Sequence, residues 1–178
     1  MQRNPGRIRY DGASIAFHWL TAALVLLLWL MAQSEFLLPR EWRHGMWSFH
    51  ITTGAVLILI YGARLLWLTS SATRPASVNT GMLRLAEHVT HGLLYALLAT
   101  ALVLGIVNVA ARGWDLFGIV QIPGFAPEDR PLRRSINGWH ELAANALLCL
   151  AAIHAAAALY HQLVRGDGLL KRMWFARR

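Results

Sequence analysis

Four histidines, His18, His50, His140 and His154, stand inside long apolar stretches of the chain, and their type and spacing suggest chemistry. An ionisable side chain inside hydrocarbon is costly and is a functional hypothesis by default. At a helical rise of about 1.5 Å per residue, depth can be read from sequence: His50 lies roughly four residues into the second stretch, and His140 opens the fourth from that same side. These two share one level, near the outer face. His154 follows His140 by 14 residues, which is about 21 Å and roughly four whole turns of helix. It therefore points to nearly the same side of its helix as His140 and comes down to the level of His18, near the inner face. Two imidazoles facing each other from different helices, at each of two heights, describe the axial ligation of two b-type haems in an apolar bundle core. Zinc would want three or four ligands converging on one point, whereas these histidines separate into layers. One turn beyond the four stand Ala22, Gly54, Ala144 and Ala158, all small enough to leave room beside a ligand.

The elements that must position these residues follow from composition. Of 178 residues, 56% are hydrophobic and 15% charged, too apolar for a soluble domain of this size. A span needs about 20 mostly apolar residues, and four candidates occur, at residues 14–33, 46–68, 85–110 and 139–164. In lipid the backbone must satisfy its own hydrogen bonds, so the spans are helices. The expected fold is all-α: an integral membrane four-helix bundle forming a single domain over residues 1–178. A signal peptide ending near Ala32 and Ser34 is the competing reading of the first stretch, but cleavage there would discard His18.

The formal charge of +8 is a topology signal rather than a nucleic-acid footprint. Arg3, Arg7, Arg9, Arg64, Arg74, Arg84, Arg165, Lys171, Arg172, Arg177 and Arg178 all fall on one side of a four-span weave. The other side carries Arg40, Arg43, Arg112, Arg130, Arg133 and Arg134, offset by Glu35, Glu41, Asp115, Glu128 and Asp129. By the positive-inside bias both termini are cytoplasmic. Tryptophans near the span ends, among them Trp42, Trp67, Trp114 and Trp139, support the same boundaries. The lone Cys149 can form no disulfide within the chain. The longest link, residues 111–138, holds Gly113, Gly118, Pro123, Gly124, Pro127 and Pro131, a density of breakers that excludes a continuous helix. Its Trp114, Leu116, Phe117 and Phe125 suggest that it folds over the outer surface.

The runs around the histidines, Ile15-Ala16-Phe17-His18-Trp19-Leu20, Phe49-His50-Ile51-Thr52-Thr53-Gly54, Ala86-Glu87-His88-Val89-Thr90-His91, Trp139-His140-Glu141 and Ile153-His154-Ala155-Ala156-Ala157-Ala158, resemble the bacterial cytochrome b561 family. The likeness runs from the first span to the basic tail. It implies a four-helix di-haem b cytochrome of the inner membrane, related to the cytochrome subunits of formate dehydrogenases and nickel-iron hydrogenases. It also implies His18 and His154 on an inner haem, and His50 and His140 on an outer one. The stand-alone members most similar to this chain look like superoxide oxidases, which take electrons from superoxide at the periplasmic face and deliver them to ubiquinone.

Other residues carry weaker readings. His91 competes as an inner ligand, because His88, His91 and His161 lie at or below that level. His161, two turns beyond His154 on the same face, could offer a hydrogen bond or proton to a quinone, with His88 and His91 lining that pocket or His91 orienting a haem propionate; the bland alternative is an interfacial histidine facing headgroups. Glu87 could relay protons. Arg64 could fork onto a haem propionate or snorkel to the headgroups. Arg112, Arg130, Arg133 and Arg134 could steer a small anion such as superoxide or bind headgroup phosphates. Besides the superoxide:ubiquinone reading, the chain could be a haem-carrying membrane anchor passing electrons between quinone and a partner dehydrogenase, hydrogenase or periplasmic cytochrome. A haem-free transporter is the third reading, although no inverted repeat or broken helix is evident.

Overall fold

Unbroken apolar sequence of more than twenty residues leaves the backbone few options in hydrocarbon, and the chain is organised by four long helices. The computed structural model describes residues 9–72, 75, 77 and 80–175. The helices are α1 (Gly12–Ser34), α2 (Arg40–Ser70), α3 (Gly81–Arg112) and α4 (Arg130–Leu163). Each is long and apolar enough to cross a membrane. Of the basic residues assigned to the cytoplasmic side, Arg3, Arg7, Arg74, Arg177 and Arg178 lie outside the described residues.

The helix starts explain where boundaries differ from expectation. Asp11 caps α1: its Oδ1 accepts the Ser14 backbone N–H at 2.9 Å and its Oδ2 the Ser14 hydroxyl at 2.8 Å. The Trp67 indole N–H donates to the same carboxylate at 3.0 Å. α2 begins at Arg40, directly after Pro39, rather than at Met46. α4 begins at Arg130 rather than at Trp139, so the last part of the predicted breaker-rich link is helical. The reason is positional. Pro131 falls in the first turn, where a missing N–H costs nothing, and the Asp129 carboxylate caps that turn by accepting the Leu132 N–H at 2.9 Å.

The rest of the link is a small antiparallel hairpin that the sequence reading did not anticipate. β1 (Trp114–Leu116) pairs with β2 (Val120–Ile122) in the register Trp114↔Ile122, Asp115↔Gln121, Leu116↔Val120. At its neck the chain returns against the end of α3. The Phe125 and Ala126 N–H groups donate to the Ala110 and Ala111 carbonyls at 2.9 and 3.0 Å, satisfying acceptors that the helix terminus leaves open. A side chain at Gly124 would collide there, since its Cβ would lie 2.6 Å from the Arg112 carbonyl carbon. The hairpin is anchored by Trp114, which stacks on His44 with ring centres 5.1 Å apart and donates its indole N–H to the Ser48 hydroxyl at 3.0 Å. Phe117 and Phe125 are exposed.

The chain forms two compact units. The first comprises the described residues within Met1–Ala23, Leu59–Leu94 and Cys149–Arg178, and the second Leu24–Ile58 and Tyr95–Leu148. Every long helix contributes one segment to each unit. In the first unit Ile15 is buried, and in the second Leu57, Leu98, Ala101, Ala143 and Leu147 are. Many large apolar side chains, including Leu59, Leu66 and Ile153, are exposed along the helices, as expected of faces whose solvent is lipid.

Candidate functional site

The second unit holds His50 on α2 and His140 on α4, both half-buried and within electrostatic reach of each other. The His140 Nδ1–H donates to the Ala101 carbonyl of α3 at 2.9 Å. In a neutral ring that bond leaves the lone pair on Nε2, the orientation typical of a metal-binding imidazole held by its other nitrogen. Local sequence makes the bond possible. Ala101 and Gly105 are one helical turn apart, and a Cβ on Gly105 would stand 3.3 Å from His140 Cε1, so the bare glycine lets the ring settle on the carbonyl. His50 lies edge-on to Trp47, ring centres 5.3 Å apart. Its Nδ1 is buried with no hydrogen-bond partner, although the Leu28 backbone of α1 is the group that meets the ring. At Gly54, one turn from His50, a Cβ would meet nothing within 4 Å.

In the first unit the geometry is different. His18 of α1 and His154 of α4 face each other with ring centres 6.4 Å apart and planes at 68°. His91 of α3 lies against the same His154, centre to centre 5.3 Å, and Arg64 of α2 is within electrostatic reach of both His18 and His154. An imidazole nitrogen binds a first-row metal ion at about 2.0–2.1 Å; with each ring centre about 1.1 Å behind its nitrogen, two rings on opposite sides of one iron have centres about 6.3 Å apart. The His18–His154 separation fits that requirement, whereas His91–His154 is about an ångström short of it. The pre-set tautomer of His140 and the His18–His154 spacing suit a bis-imidazole haem b.

The sequence profile of the prokaryotic cytochrome b561 family matches residues 9–176. The chain belongs to that family. Among its relatives, "Probable superoxide oxidase CybB" of Yersinia pestis is 28% identical over 93% of this chain and 95% of its own length. "Cytochrome b561 homolog 2" of Escherichia coli K12 is 30% identical over 93% and 90%, and "Cytochrome b562" of Cereibacter sphaeroides is 32% identical over 97% and 98%. The protein is thus a membrane electron-transfer cytochrome of the haem b type and, with its four spans, a multi-pass protein of the bacterial inner membrane.

The remaining predicted residues of this cytochrome are placed as follows. His88 is exposed, and its Nδ1–H returns to the Arg84 carbonyl of its own helix at 2.7 Å. Glu87 accepts the Ser77 hydroxyl at 2.7 Å. His91 lies against His154. His161 is held by a residue that sequence reading overlooked, Asp167, whose Oδ2 lies 2.5 Å from Nδ1. The hydrogen bond from His161 holds the Asp167 carboxyl below the usual carboxylate range. The available signal was Gly166-Asp167-Gly168, an acid between two turn residues just past a helix. In the second unit Arg112 closes α3, while Arg130, Arg133 and Arg134 crowd the start of α4. Arg112, Arg130 and Arg134 are exposed; Arg133 is half-buried, its Nε without a hydrogen-bond partner. Cations at a helix N-terminus oppose the macrodipole, so this cluster is not explained by helix stability.

Proposed function

We propose that this cytochrome oxidises superoxide on the periplasmic side and reduces ubiquinone within the membrane, in the balance 2 O2•− + Q + 2 H+ → 2 O2 + QH2. His50 and His140 would hold an outer haem b and His18 and His154 an inner one, with both termini cytoplasmic. Bound haem supplies reversible one-electron chemistry. The chain's own residues do the rest. Ala101 and Gly105 orient His140; Arg64 offers a guanidinium to a propionate near His18 and His154; Arg112, Arg130, Arg133 and Arg134 raise the local concentration of a small anion; and His161 meets the quinone, with His88 outside that contact and His91 beside His154.

The observation that carries this reading is the separation of the histidines into two groups, His50 with His140 and His18 with His154, each drawn from different helices. The superoxide step is supported by a relative named for that activity that aligns along nearly the whole chain. Stopped-flow mixing of the oxidised purified protein with superoxide should show the haem bands reduced rapidly, and added ubiquinone should reoxidise them. Haem bands that stay oxidised under superoxide would overturn the donor assignment. The competing reading, a membrane anchor for a partner, is favoured by the exposed Phe117, Ile119 and Phe125 around the hairpin; a partner co-purifying in stoichiometric amount would select it.

A further inference from the structure

The chain beyond α4 is built to bring one carboxylate back to His161. Val164 and Arg165 N–H both donate to the Tyr160 carbonyl, at 2.9 and 3.2 Å, and Asp167 N–H donates to the His161 carbonyl at 3.3 Å. Gly166 at φ 66° and Gly168 at φ 70° bracket Asp167, and the left-handed backbone they adopt is what turns the segment. Both oxygens of Asp167 are then committed: Oδ2 to His161 Nδ1 at 2.5 Å and Oδ1 to the Leu169 N–H at 3.2 Å. The tail that follows is itself tied down within the same unit. The Arg172 carbonyl accepts the Tyr10 N–H at 3.1 Å, and the Met173 carbonyl accepts the Trp19 indole N–H at 2.7 Å.

Helix capping does not account for this arrangement. The C-terminal end of a helix carries partial negative charge and favours cations, so an acid there is unfavourable unless it holds a proton donor. We propose that Asp167 is the positioning residue of quinone protonation: it fixes His161 with Nδ1 bound and Nε2 free to serve the quinone carbonyl.

This rests on the assignment of His161 to the quinone. The carboxylate orients the ring by holding its Nδ1–H, as an acid does for histidine in a hydrolase triad. In the step itself the Nε2–H bond breaks and an O–H bond forms on one quinone carbonyl oxygen, whose two electrons come from two superoxide ions. The ring is left neutral with its remaining proton on Nδ1, hydrogen-bonded to Asp167, which stays ionised throughout. Water restores the Nε2 proton, and the second carbonyl takes its proton from solvent.

The test uses the haem-loaded full chain, superoxide as donor and decylubiquinone as acceptor. Asp167→Asn should lower kcat for quinone reduction by on the order of 100-fold with little change in KM and an unchanged haem spectrum, and Asp167→Glu should recover part of the loss. In the unmutated protein, 15N NMR of labelled histidine should show His161 protonated at Nδ1. If Asp167→Asn keeps the parent kcat while His161→Ala is slow, Asp167 has no such role and the quinone assignment stands. If both variants keep the parent kcat, His161 is not at the quinone and the proposal falls with that assignment. A neutral His161 bare at Nδ1 overturns it whatever the variants do.

Discussion

In the second unit a histidine is held by the backbone, His140 against the Ala101 carbonyl. In the first unit three histidines meet ring to ring, with Arg64 in electrostatic reach and His154 shared between His18 and His91. The first arrangement specifies a tautomer and needs no second candidate, because a carbonyl can only accept. The second leaves the choice of partner to distance, since every imidazole can both donate and accept. A ligand fixed by backbone tolerates little change around it, whereas a ligand chosen from a cluster is selected by its spacing alone.

That contrast can be broken by substitution. The largest effect is expected from His140→Ala or His50→Ala, each of which should remove about half of the haem, measured by pyridine haemochrome, and leave the spectrum of the other site intact. Loss of the other site's signal instead would overturn the pairing. Next, His18→Ala should remove the haem that remains in those variants, while His91→Ala should keep it and shift its reduction potential in a redox titration. Equal haem loss from both substitutions would mean that the 6.4 Å and 5.3 Å separations do not discriminate.

A subtler change sharpens the comparison from the backbone side. Gly105→Val places branched carbons where even a Cβ stands 3.3 Å from the His140 ring, so haem retention at the His50/His140 site should weaken by about 10-fold or more, with the His18/His154 site unaffected in the same titration. The smallest effect concerns pH. Because the Asp167 carboxyl is depressed by its bond to His161, its contribution is complete above the ordinary carboxylate value of about 3.9 and is lost as pH falls through the lower folded value. Acid unfolding followed by tryptophan fluorescence should therefore lose a small component below about pH 4 in Asp167→Asn relative to the parent. A superimposable profile would show that the contact adds nothing to stability.

Much of the fold was legible because hydrophobic length and helical period are local properties. The four spans, the facing of His140 and His154 along one helix, and the level shared by His18 and His154 come from a rise and a turn angle that any helix obeys. The helical start of α4 was hidden by Pro131, whose meaning depends on falling in a first turn capped by Asp129. The hairpin was hidden because two three-residue strands leave too short a pattern to register.

Four long apolar helices, with histidines standing within them, could be read from residue order alone, since burial of apolar length and helical repeat need no distant partner. Which atoms those histidines meet emerged from packing: a carbonyl 39 residues away for His140, a second and a third imidazole for His154, and a carboxylate returned by a turn for His161. Such pairings depend on how helices rotate against one another and where the chain reverses, and those are settled by packing rather than by periodicity.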